Sequence, residues 1–189
     1  RLTVKITDQT IPYLHRLFHR FPNLGSLKLT IQSKTIEEID DILTLISTFP
    51  FHNIKSLNLS TRPIPIRSNG LIALSKTMKN LKFLTCYKMV RVEKKDLFFI
   101  VDCFPLLEEL NLTYPCICCD KDFMVDDNDP LLALPNLRRI NLSGNHIAGD
   151  QFVNFLHQNC KLLRVFVLKD RIIRKFRNSK YDRSDIIYF

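Results

Sequence analysis

Glycine is scarce in this chain, with four residues in 189. That excludes the Gly-rich loops that cradle phosphates, and neither a P-loop nor a dinucleotide-binding turn occurs. No H-E-x-x-H zinc motif is present. Long apolar runs are missing as well. The longest, "DLFFIVDCF" (Asp96 to Phe104), is broken by Asp102 and falls far short of the ~20 residues needed to span a bilayer. No membrane partner is expected. The chain opens on Arg1 and leads straight into "LTVKIT", with no charged-then-apolar signal segment. It reads as a fragment of a protein that begins upstream.

What is present is a globular balance. Hydrophobic residues make up 46% and charged residues 25%, enough for one domain with its own core. The six cysteines are irregularly spaced, and three crowd into "CICC". A disulfide framework is not expected in a chain of this size, and a reducing compartment, cytoplasmic or nuclear, fits better. Cys86, Cys103 and Cys160 read as small buried hydrophobes. Thiolates at Cys116, Cys118 and Cys119 have the softness to bind a metal, but no paired C-x-x-C knuckle or nearby His accompanies them. The acidic run that follows, "DKDFMVDDND", lacks the Gly and final Glu of an EF-hand. Both are expected to be solvated loop. His15 and His19 lie four apart on a predicted helix with no carboxylate beside them, so a helix face is expected rather than a metal site. No catalytic residue, cofactor or metal is expected, and the chain does not read as an enzyme.

The net charge of +9 suits an acidic partner in principle. Lys and Arg are scattered, however, until "KDRIIRKFRNSKYDR" (Lys169 to Arg183). A solvated basic surface is expected, and nucleic acid is not.

The pattern that organises the chain is L-x-x-L-x-L. It appears as Leu24, Leu27, Leu29; Ile54, Leu57, Leu59; Leu81, Leu84, Cys86; Leu107, Leu110, Leu112; Leu137, Ile140, Leu142; and Leu163, Phe166, Leu168. The intervals between first positions are 30, 27, 26, 30 and 26 residues. A partial copy opens the chain, with Val4 and Ile6 aligned on Leu27 and Leu29. This period and spacing are the leucine-rich repeat signature. The second and third apolar positions alternate along a strand and face the core. The first fills the turn before it. One repeat cannot bury its apolar side alone, so the strands are expected to stack in parallel. Three sequons, at Asn58, Asn111 and Asn141, recur at one place in the repeat and have a structural explanation rather than marking glycosylation.

Between strands the period becomes helical. "TIEEIDDILTLISTF" places Ile36, Ile39, Ile42, Leu43 and Ile46 on one face. "SNGLIALSKTMKN" offers Ser68 and Asn69 as N-caps and Leu71, Leu74 and Met78 as core. "TIPYLHRLFHRF", "KKDLFFIVDCF" and "AGDQFVNFLHQNC" follow the same plan, with Asp96 and Asp150 as caps of the last two. The fold expected is α/β: a right-handed leucine-rich repeat solenoid, or horseshoe, with parallel strands on the concave face and helices on the convex face. Residues 1–170 form the repeat domain, about seven repeats with the first partial. Residues 171–189 are a basic capping segment or a truncated repeat.

"GLIALSKTMKNLKFLTCYKM", "DCFPLLEELNLTYP" and "LSGNHIAGDQFVNFLHQNCKLLRVFVL" resemble the repeats of plant F-box/leucine-rich repeat proteins, within the ribonuclease-inhibitor-like superfamily. Cys160 before Leu163 matches that family's C-x-x-L, and Cys103 before Leu107 is one residue looser. The resemblance implies a non-catalytic substrate receptor of an SCF-type (Skp, cullin, F-box) ubiquitin ligase, acting in ubiquitin-dependent protein breakdown. It implies a protein substrate on the concave face. It also implies a Skp-type adaptor and cullin engaged through an F-box that these residues do not include. An intracellular immune-type receptor or inhibitor, or a basic scaffold for RNA or another polyanion, are the alternatives.

Residues flanking the buried strand positions form the presumptive binding face. Most are small and polar. One repeat differs in presenting Phe83 and Tyr87, with Glu109 and Arg139 next along the face. Aromatics and Arg are common interface anchors. Phe83, Tyr87, Glu109, Arg139, Asn111 and Asn141 are therefore the candidate partner-binding residues.

Overall fold

The computed structural model describes residues 1–33, 35–61, 68–87, 99–100, 102–112, 136–141, 162 and 165–167. Within them the chain is α/β. Seven strands form one sheet: β1 (Leu2–Ile6), β2 (Ser26–Ile31), β3 (Ser56–Ser60), β4 (Phe83–Tyr87), β5 (Glu109–Asn111), β6 (Arg139–Asn141) and β7 (Val165–Val167). Each strand pairs in parallel with the next, in strict chain order. Three helices intervene: α1 (Leu14–His19), α2 (Ile36–Ser47) and α3 (Asn69–Thr77). Among the described residues no helix is long and apolar enough to cross a membrane.

The apolar repeat positions set the register. Leu27, Leu57, Leu84, Leu110, Ile140 and Phe166 stand opposite one another across six strands. Leu29, Leu59 and Cys86 form the next row. The first positions, Leu24, Ile54, Leu81, Leu107 and Leu137, are all buried. Each fully buried Leu contributes about 1.5–3 kcal/mol of transfer free energy. Strand side chains on the opposite face stay half-buried or exposed, as alternation requires.

A backbone clamp recurs where β3, β4, β5 and β6 begin. The Gly25 carbonyl accepts from the amides of Lys55 and Ser56 at 2.8 and 3.2 Å. The Lys55 carbonyl does the same for Lys82 and Phe83, that of Lys82 for Glu108 and Glu109, and that of Glu108 for Arg138 and Arg139. Four successive connections thus close with one geometry, whatever their length.

The first strand corrects the sequence alignment. Val4 pairs with Leu29 and Ile6 with Ile31, two residues away from the partners expected. A two-residue slip keeps every side chain on its own face, so alternation cannot detect it. The observed register matches three apolar positions, Leu2, Val4 and Ile6, to the three of β2. It is closed by the Gln32 amide donating to the Ile6 carbonyl at 2.9 Å.

The helices cover the buried face and join the same core. Thr35 caps α2, its hydroxyl accepting from the Glu38 amide, in the T-x-x-E arrangement of a capping box. Ile39, Ile42, Leu43 and Ile46 are buried as the period predicts. Ile36 is not: it is the first helical residue and is 41% exposed. Ser68 caps α3, accepting from the Leu71 amide at 3.3 Å, and Asn69 is already helical. Asp40 of α2 accepts from the amides of Asn69 and Gly70 at 3.2 and 3.1 Å, so one helix caps the next. Residues 99–100 and 102–103 are helical, inside the segment expected to be so. Around α1, Phe18 packs on Phe49 and Phe51, each with ring centroids 5.0 Å away.

Cys116, Cys118, Cys119, the acidic run, the caps Asp96 and Asp150, Cys160, "AGDQFVNFLHQNC" and the basic C-terminal segment lie outside the described residues.

Candidate functional site

The open face of the sheet is a grid. Its rows run across strands and its columns along them. Parallel strands sit ~4.8 Å apart, and successive open-face residues of one strand are ~6.6 Å apart. The first row reads Ser26, Ser56, Phe83, Glu109, Arg139. The second reads Thr3, Lys28, Asn58, Thr85, Asn111, Asn141. The third reads Lys5, Thr30, Ser60, Tyr87.

The structure therefore brings Phe83, Glu109 and Arg139 together on adjacent strands. Asn111 and Asn141 lie directly beside them in the second row. Tyr87 shares β4 with Phe83 but stands two rows away, ~13 Å along the strand. It is 37% exposed, while Phe83 is half-buried. Phe83 and Tyr87 thus offer two separated aromatic contacts with Thr85 between them.

Glu109 and Arg139 form an ion pair at 3.3 Å. Both groups are well exposed to water, so the pair stabilises the fold by only about 0.2–1 kcal/mol. The two charges stand on this face as a coupled dipole rather than as independent charges.

A second charged line runs where the strands begin. Lys82 and Glu108 meet at 2.6 Å. The hydrogen bond from Lys82 holds the Glu108 carboxyl below the ordinary carboxylate range, against desolvation and with further help from the charges of Lys82 and Arg138. This line was not singled out from the sequence. Aligning the repeats on their first Leu places Lys55, Lys82, Glu108 and Arg138 at one position, and that is the signal.

Two further features escaped the sequence. Asn58 lies in the second row, and its buried Oδ1 has no hydrogen-bond partner. An orphaned buried acceptor costs about 1–3 kcal/mol. Just ahead of the strands, Asn residues tie neighbouring repeats together. Asn53 donates to Asn23 Oδ1 at 3.4 Å, Asn80 to the His52 carbonyl at 2.9 Å, and Asn136 to the Pro105 carbonyl at 3.2 Å. The legible signal is an Asn just before the first apolar position of four repeats. Leu106 and Leu162 occupy that position in two others and are exposed.

The thiols of the described residues are free. Burial pushes Cys86 up to about 12, so it is a neutral core side chain. Cys103 is only half-buried, and its thiol is raised by burial and the Asp102 charge against a hydrogen bond with Ser75.

No protein-family model and no curated protein matches this chain.

Proposed function

We propose that the chain is a leucine-rich repeat solenoid whose open sheet face is the concave surface of a protein-recognition module. The observation that carries this reading is the unbroken run of parallel strands in chain order, with one face buried and the other lined by half-buried polar residues and two aromatics. Parallel sheets are ordinarily covered on both faces. A sheet left open on one face has surface to offer a partner. Phe83 and Tyr87 supply apolar contact. Glu109, Arg139, Asn111 and Asn141 supply directional hydrogen bonding around them.

The resemblance of the repeats to those of plant F-box/leucine-rich repeat proteins supports reading the module as the substrate receptor of an SCF-type ubiquitin ligase, whose transfer chemistry belongs to other subunits. The test is to express the full reading frame that contains these 189 residues together with a Skp-type adaptor. Co-purification of the adaptor, lost when residues 1–189 are expressed alone, supports the receptor. Failure of the adaptor to bind the full protein removes the ligase reading and leaves the recognition module. Phe83→Ala and Tyr87→Ala then test the module: partner affinity unchanged in both would remove the open face from recognition.

A further inference from the structure

The helical layer carries a second constellation, well apart in chemistry from the open face. His15 and His19 are one turn apart on α1 and both are exposed. Their Nε2 atoms lie 3.1 Å from each other, and their ring centroids are 4.3 Å apart. The two ring nitrogens are within hydrogen-bond distance of each other.

That separation is also a chelating bite. Two bonds of ~2.05 Å to nitrogens this far apart subtend roughly 95–100° at a metal, close to the cis angle of square-planar and octahedral sites and below the tetrahedral one. The pair is also held in place. Leu14 and Phe18 anchor α1 in the core. The buried Phe49 ring lies beneath both imidazoles, 5.9 Å from His15 and 6.3 Å from His19 by centroids. Fixing the ring positions beforehand lowers the ordering cost of binding.

We propose that His15 and His19 form a two-imidazole chelate for a late first-row divalent cation, Ni²⁺ or Cu²⁺. Imidazole nitrogen suits these ions, whereas Ca²⁺ and Mg²⁺ need oxygen donors that this helix face lacks. Among the described residues no cluster of three or more His, Cys, Asp or Glu side chains is poised for a metal. The described residues therefore supply two imidazole donors and no third. The missing carboxylate, which argues against a metal in the sequence, limits the protein donors on this helix face to two rather than forbidding the site.

The test is a titration of Ni²⁺ into the 189-residue chain, followed by the imidazole NMR signals of its five histidines. The expected result is early, paired broadening of His15 and His19 at substoichiometric metal, before His52, His146 and His157. Because the second imidazole binds intramolecularly, His15→Asn and His19→Asn should each weaken Ni²⁺ binding by roughly tenfold or more. Broadening at His15 and His19 no earlier than at His52 would overturn the proposal, as would either variant keeping the parent affinity. Metal captured by the cysteines instead would appear as broadening elsewhere, with the two rings untouched, and would overturn it equally.

Discussion

Replacing Gly70 with Ala sets two opposing effects against each other. Gly70 is the second residue of α3, and Ala there favours the helix by up to ~1 kcal/mol. Packing acts the other way. A Cβ at Gly70 would sit 2.6 Å from Leu43 Cβ and 3.0 Å from both Leu43 Cδ1 and Asp40 Oδ1. Leu43 is fully buried, and its Cβ is fixed to the α2 backbone, so no rotamer change relieves the closest contact. The start of α3 must move out by about 1 Å to reach ordinary van der Waals separation. That move stretches both bonds to Asp40 and carries an overpacking cost of about 1–3 kcal/mol. The packing loss exceeds the propensity gain, and Gly70→Ala should destabilise by about 1–3 kcal/mol. Urea denaturation followed by circular dichroism reads this as a lower midpoint at unchanged slope. A Gly70→Ala protein as stable as the parent, or more so, would refute the close approach of α2 and α3.

Other outcomes follow from the same geometry. Leu57→Ala, in a fully lined core row, should cost about 2–5 kcal/mol by the same denaturation assay. Arg139→Ala should change stability by less than about 1 kcal/mol, because its ion pair with Glu109 is exposed. The Cys86 thiol has a folded pKa raised from 9.0 to about 12, so its contribution is complete below pH 9. As pH rises from 9.0 toward about 12 only the unfolded thiol deprotonates, and stability should fall. Cys86→Val should flatten that alkaline decline in pH-dependent melts. Thiol labelling at neutral pH should modify Cys103 well before Cys86; equal rates would contradict the burial of Cys86.

The strands were legible because their apolar spacing is enforced at every repeat. Leu27, Leu57, Leu84, Leu110 and Ile140 each sit where alternation puts them. The register of β1 was not legible, because alternation is blind to a shift of two residues. Ile36 fits the helical period yet is exposed, since periodicity describes direction around an axis and not whether a neighbour lies opposite. The open face could be enumerated from the strands alone. The repeat alignment set Glu109 and Arg139 side by side, but not their ion pair, which joins side chains 30 residues apart in the chain. Asp40 and Gly70 escape local reading for the same reason, and the His15–His19 contact was visible as spacing but not as distance.

The carbonyl clamp at the start of β3, β4, β5 and β6 separates two properties that usually vary together. Repeat length differs by several residues between copies, yet one carbonyl holds the same two amides of the next repeat each time. Extra residues are therefore absorbed in the connections, away from the rows of the open face. A chain built this way can gain or lose connecting residues without moving a side chain of its grid, and can change a grid side chain without rebuilding its connections. The two halves of its surface are free to diverge independently.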